Sequence, residues 1–244
     1  MSSSEVKTFR LPHWVIGILL LGMVVFLLLP GSGRSHNAAS RRTACKNNLH
    51  QIEMALHYYH DKYHCFPPAY VADASGRPLH SWRVLLLPFL EQENLYRQYR
   101  FDEPWDGTRN HKLADQIGNI FHCPSDKSAA STDTSYVVVV GPNTMFPGTE
   151  CRRFADMTDG VVNTILVVEI ANSGIHWMEP RDLAFEDAIK GVNPKDGPGI
   201  SSEHVGVAQV VRGDATVKVL SDIIPQDTLR WALERNDGHV IPDY

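Results

Sequence analysis

The sequence predicts an α+β domain carried behind an N-terminal apolar anchor, and three observations predict it. Trp14 to Leu29 is a run with no charge and no strong polar group. Between Arg41 and Pro68, apolar residues recur at steps of three and four, the spacing of one face of an amphipathic helix. After Ser135 the character changes to short β-branched runs bounded by Gly, Pro and Asp, the signature of strands. A long helix followed by a helical region and then a run of strands is the order of an α+β domain.

The apolar run sets the boundaries. Extended to Leu11–Leu29 it spans ~28 Å as a helix, close to the ~30 Å hydrocarbon core of a bilayer. Trp14 would lie at an interface, where indole rings concentrate. Residues 1–10 are then a cytoplasmic N-terminus and residues 11–29 a transmembrane helix. Residues 30–40, "PGSGRSHNAAS", are a small, polar linker, and residues 41–244 are the body. A cleaved signal peptide with Lys7 and Arg10 as its basic region is the alternative. Its apolar stretch would be longer than the usual ~7–15 residues.

In the body, Cys45, Leu49, Ile52, Leu56, Tyr59 and Tyr63 form the helical stripe, and Asn47, Gln51, Glu53, His57 and Asp61 fall on the opposite face. The stripe is narrow, so this helix should lie against a sheet or partner. Pro67 and Pro68 stop it. "SWRVLLLPFLEQENLYRQYRF" reads as a second helix, restarted at Pro88 and capped by Ser81. Strands are expected in "SYVVVVG", "NTILVVEI", "VGVAQVVRG" and "ATVKVL", with "RGDA" as a hairpin turn. A last helix starts at Pro225.

A 43% hydrophobic, 21% charged chain can build a core, and a net charge of −5 without a basic cluster gives nucleic acid no footing. No Gly-rich phosphate loop, nucleophile elbow or haem-attachment motif is present, so no cofactor is expected. His57, His60 and His64 fall on the helix, but no acidic partner accompanies them in a metal-binding pattern, and they read as solvated. Asp156 and Asp159 lack the EF-hand spacing and read as turn residues. Trp82, Trp105 and Trp177 read as core anchors.

Four cysteines, Cys45, Cys65, Cys123 and Cys151, are widely spaced without a CxxC pair. That pattern suits disulfides in an oxidising compartment, with three connectivities open. The Lys and Arg residues flanking the apolar run alone would instead put the body in the cytoplasm.

"HVGVAQVVRGDATVKVL" poses the functional question. His204 and Asp214 stand ten positions apart around an apolar-rich run. As a hairpin, Gly213-Asp214 is the turn and His204 the strand start, at opposite ends of the strand. So placed, they are structural motif residues and not a catalytic pair.

Together these stretches resemble a bacterial family of pilin-like proteins with a prepilin-type N-terminus and a C-terminal H-x9-D-G motif, a domain of unknown function. The resemblance runs through "RRTACKNNLHQIEMALHYYHDKYHCFPP", "SWRVLLLPFLEQENLY", "FHCPSD", "TSYVVVVGPNTMFPG", "DGVVNTILVVE" and the H-x9-D stretch. It implies a pilin-like fold, a long helix on an antiparallel sheet, anchored as a single pass in the bacterial inner membrane with the C-terminal domain exported. It also implies that Cys45 pairs with Cys123, leaving Cys65 to Cys151. Two departures stand out. The family's processing site, Gly before Phe-Thr-Leu-Ile/Val-Glu, is replaced by "TFRLPHWVIG", where Phe9 follows Thr8 and the Glu is missing. An uncleaved anchor follows. Ala215 replaces the last Gly of the motif.

The expected function is a membrane-anchored, exported structural or assembly protein and not an enzyme, with other pilin-like or envelope proteins as its partners. A periplasmic module binding a ligand or cation is the alternative, and an envelope hydrolase the third reading.

Overall fold

A computed structural model of the chain describes residues 38–127, 130–239 and 241. The expected anchor (11–29), the N-terminal segment before it and residues 30–37 of the linker lie outside the described residues. Among the described residues, no helix is long and apolar enough to cross a membrane.

Helix α1 (Ala38–Tyr63) begins inside the expected linker, three residues before Arg41. It ends where His64 turns to φ 60° and returns its N–H to the carbonyl of His60 at 2.7 Å, a left-handed C-terminal cap ahead of the prolines. Its buried face is Cys45, Leu49, Ile52, Glu53, Ala55 and Leu56. Two expectations need correction. Tyr63 is exposed, because the helix ends there, and Glu53, assigned to the polar face, is fully buried.

The first half of the body is mostly helical turns. A hairpin of β1 (Tyr70–Ala72) and β2 (Pro78–Ser81) leads into α2 (Trp82–Leu85). Ser81 caps α2 by accepting the Arg83 N–H at 3.2 Å. A 3-10 turn at Leu87–Phe89 carries Pro88, and α3 (Glu93–Gln98) restarts the helix. A further 3-10 segment, Asn110–Gln116, precedes the sheet.

The expected strands are β3 (Tyr136–Val140), β4 (Ile165–Glu169), β6 (Val207–Arg212) and β7 (Val217–Ser221). They form one sheet in the order β5-β3-β4-β6-β7. The sheet is mixed, and not purely antiparallel, because the short β5 (Leu183–Ala184) pairs parallel to β3. Alternate side chains serve two cores. Tyr136 and Val138 join Leu49, Ile52 and Leu56 of α1 in one cluster. Val137 and Val139 join Leu229, Ala232 and Leu233 of α5 (Gln226–Leu233) in the other. Both faces are covered, which is why these strands are near-continuous apolar runs. A four-residue helix, α4 (Phe185–Ala188), follows β5.

A buried ion pair locks the edge of the sheet. Arg83 sits against Asp182 with both side chains sealed from solvent. Its guanidinium also donates to the Tyr136 carbonyl at 3.0 and 3.1 Å. Asp182 accepts from the Trp82 indole at 3.1 Å and from the Val138 amide at 3.0 Å. The donors around Asp182 offset the desolvation of the pair.

The β6–β7 turn explains its own sequence. A Cβ on Gly213 would meet the Met157 sulfur at 2.6 Å and the Val161 carbonyl at 3.0 Å, so the Met157 side chain would have to move to admit one. Asp214 accepts from the Thr216 amide and hydroxyl at 3.2 and 2.6 Å. Ala215 takes φ 66°, the left-handed region that penalises a Cβ. Ala215→Gly should therefore stabilise the protein by about 0.5–1 kcal/mol, read as a rise in the urea midpoint at unchanged slope. An unchanged midpoint would mean the turn carries no strain.

Candidate functional site

Three segments meet at one end of the sheet. The second turn of α1 brings Cys45, β4 ends at Glu169, and the loop before β6 carries His204. Cys123, ahead of β3, completes the group by forming a disulfide with Cys45 across 78 residues of chain. Both sulfurs are buried, and Glu169 is 1% exposed.

The two oxygens of Glu169 are held unequally. Its Oε2 accepts the Gln209 backbone N–H at 3.0 Å. Its Oε1 is buried without a hydrogen-bond donor. His204 Nε2 lies 3.7 Å from it, too long for a hydrogen bond. The same Nε2 lies 3.7 Å from Cys123 Sγ. Burial pushes the Glu169 carboxyl up to about 7, against the pull of the Gln209 amide, the Ser202 hydroxyl and Arg42. Burial, with Arg42 and Arg41 nearby, lowers the proton affinity of His204. Near neutral pH His204 is thus a neutral imidazole beside a half-ionised carboxyl.

A network fixes this end in place. The Cys123 N–H donates to Ser135 Oγ at 3.0 Å, and Ser135 Oγ donates to Asp126 Oδ2 at 3.3 Å. Asp126 Oδ2 also accepts the Asn172 N–H at 2.8 Å. Gln209 Nε2 donates to the Arg42 carbonyl at 3.3 Å, tying β6 to the start of α1. Outside it, an open cleft of about 370 Å³ is lined by Arg41, Arg42, Ser125, Glu203 and His204.

Among the described residues, one set of three or more histidine, cysteine and carboxylate ligand atoms converges. It is Cys45, Cys123, Glu169 and His204, with all four atoms within 4.8 Å of one another. His204 is three residues ahead of β6 and buried, so it is a member of this cluster and not a marker of the strand start. Asp214 is at the other end of β6, in the turn, paired with Arg212 at 3.1 Å. The two motif residues flank one strand and do not meet.

The second expected bond is not formed. The Phe66 N–H donates to the Arg152 carbonyl at 2.7 Å, which brings the neighbouring Cys65 and Cys151 side by side. Their thiols are hydrogen-bonded and unbonded covalently. Burial, and then that contact, push the Cys65 thiol up to about 11.

The remaining expected residues serve backbone and core. Asp156 Oδ2 accepts the Arg153 N–H at 2.7 Å, and Asp159 accepts the Asp237 and Gly238 amides at 2.7 and 2.9 Å. Trp82 and Trp177 are buried core anchors. His57 and His60 are not solvated surface groups, because both pack against the rings of Phe66 and Phe154.

Residues 34–145 match the model of a family described as a protein of unknown function, DUF1559. The match covers just under half of the chain, including both bonded cysteines. It stops before β4, so Glu169 and the H-x9-D stretch lie beyond it. No curated protein and no solved structure matches the chain.

Sequence reasoning passed over Glu169 and Glu53. Glu169 had a signal, a carboxylate closing the apolar run "ILVVE". Glu53 had none, because its burial comes from a distant segment: the 213–215 turn comes down on α1 there. His57 is hydrogen-bonded to the Gly213 backbone, and Asp214 acts on Glu53. Glu53 meets His50 at 3.2 Å and His57 at 3.5 Å. Burial first, then Asp214, push the Glu53 carboxyl up to about 7 from 4.5. The folded state therefore keeps a proton there that the unfolded chain releases near 4.5. This contribution to stability is present below about pH 4.5 and is lost as pH rises to about 7. Glu53→Gln should remove that loss, so the variant gains on the wild type between pH 5 and pH 8 in urea unfolding. A constant difference across that range would show Glu53 to be ionised in the fold.

Proposed function

We propose that this chain is a membrane-anchored, exported, pilin-like structural protein, held to the inner membrane by residues 11–29 and presenting its α+β body to partner proteins outside the cytoplasm. The observation that carries the reading is the buried Cys45–Cys123 bond. Buried disulfides joining distant segments belong to oxidising compartments, outside the cytosol. The bond sits on α1, with Cys45 following the end of the apolar run at Leu29 by 16 positions in the sequence.

The long α1 laid along a sheet is the arrangement expected of a pilin subunit. The missing Glu after Phe9 favours a permanent anchor over filament assembly, because that charge, costly in lipid unless paired, is what would join neighbouring subunits. Two features support a contact role. Among the described residues, β7 is the last strand of the sheet. Val205 and Ile223 stand 99% and 86% exposed at the β6–β7 end, where the Asp222 N–H meets the Gly206 carbonyl at 3.0 Å.

The test is thiol labelling of the protein in its native envelope, with intact mass as the readout. The protein should stay in the membrane fraction at full length and be accessible to protease from the outer side. Cys45 and Cys123 should alkylate under denaturing conditions only after reduction. Ready alkylation of both without reductant would place the body in the cytosol and overturn the reading.

A further inference from the structure

We infer that the Cys45, Cys123, Glu169 and His204 cluster is a redox-gated site for a thiophilic divalent cation, closed as a disulfide and open to zinc-class metals when reduced. The inference goes beyond the anchored-protein reading and does not depend on it.

The geometry points to a metal because two of its edges have the length a tetrahedral site needs. A tetrahedral zinc with two sulfur, one nitrogen and one oxygen ligand has ligand-to-ligand edges of about 3.4–3.8 Å. The His204 Nε2 edges to Cys123 Sγ and to Glu169 Oε1 are each 3.7 Å. All four atoms lie within 4.8 Å. The two sulfurs must separate to about 3.8 Å, and any edge near the 4.8 Å limit must close in, for a cation to sit among them.

The second observation is the orphan oxygen. Glu169 Oε1 is buried, lacks a donor and faces His204. An unsatisfied buried acceptor costs about 1–3 kcal/mol, and a cation would satisfy it. Glu169's other oxygen is held by the Gln209 amide, the kind of outer contact that orients a ligating carboxylate. His204 is neutral, as a ligand must be. Two thiolates and one carboxylate around a divalent cation leave one negative charge, and Arg42 lies close enough to act on Glu169. The cleft beside His204 is a route in from solvent.

The chemistry balances with a dithiol as reductant. Two electrons and two protons pass from the dithiol to the Cys45–Cys123 bond. The S–S bond breaks, two thiols form, and the dithiol becomes a disulfide. Cation binding then releases both thiol protons to solvent. Reoxidation by a small-molecule disulfide reverses the step. That disulfide takes two electrons from the thiolates and two protons from solvent to become thiols. The Cys45–Cys123 bond re-forms, and the metal leaves because a disulfide sulfur carries no ligating charge.

The test uses the full-length chain in detergent, with Cys65→Ser and Cys151→Ser to silence the other thiols. After reduction and removal of the dithiol, cobalt(II) is titrated and then displaced with zinc. One cobalt per chain is expected, with tetrahedral d–d bands and thiolate charge-transfer absorbance. The oxidised chain should show neither. His204→Ala should weaken binding by more than the ~10–100-fold that loss of an outer partner costs a metal site. No tetrahedral spectrum in the reduced chain overturns the inference, as does a spectrum and affinity unchanged by His204→Ala. If that variant does not fold, the melting temperature of the reduced parent decides. It rises with zinc if the site exists, and no rise overturns the inference.

Discussion

Cys45 and Cys123 are joined where α1 crosses the end of the sheet, and much of the fold is arranged around that crossing. The bond closes 78 residues of chain. On loop-closure grounds it stabilises the fold by about 4 kcal/mol. That is a large share of the ~5–15 kcal/mol that holds an ordinary domain together. It also fixes the rotation of α1, so that Leu49, Ile52 and Leu56 fall on the Tyr136–Val138 face of the sheet.

With α1 on one face and α5 on the other, β3, β4 and β6 have no wet side. Charged groups caught between the sheet and the elements packed on it are therefore trapped, and each finds its own answer. Arg83 and Asp182 neutralise each other under a ring of backbone and indole donors. Glu53 lies against the exposed His50 and the half-buried His57. Glu169 has half an answer, one oxygen held and one not, beside a histidine and two sulfurs. That incompleteness marks the Glu169 end as the place where a ligand fits, while the Arg83 end is finished structure.

Much of this architecture is legible in the residues. Periodicity of three and four places α1, β-branched runs place β3, β4, β6 and β7, and Gly213-Asp214 places the hairpin turn. What escapes is set by distant contacts. The parallel β5 has two residues, too few for a pattern. The β1–β2 hairpin carries no alternation long enough to read. Glu53 looks like a surface residue until a turn 160 positions away lands on it. The separation of His204 from Asp214 by one strand was readable from spacing. The company His204 keeps was not, because Glu169 and Cys123 reach it from other strands and loops.

The account stands or falls on the Cys45–Cys123 bond holding α1 against the sheet. The most direct measurement is amide hydrogen exchange along the full-length chain, before and after reduction in the presence of a chelator. Reduction should speed exchange in α1 around Cys45, in the segment around Cys123 and in the loop carrying His204, while β4 and β6 stay protected. Uniform protection before and after would contradict it, and would mean that apolar burial alone seats the helix.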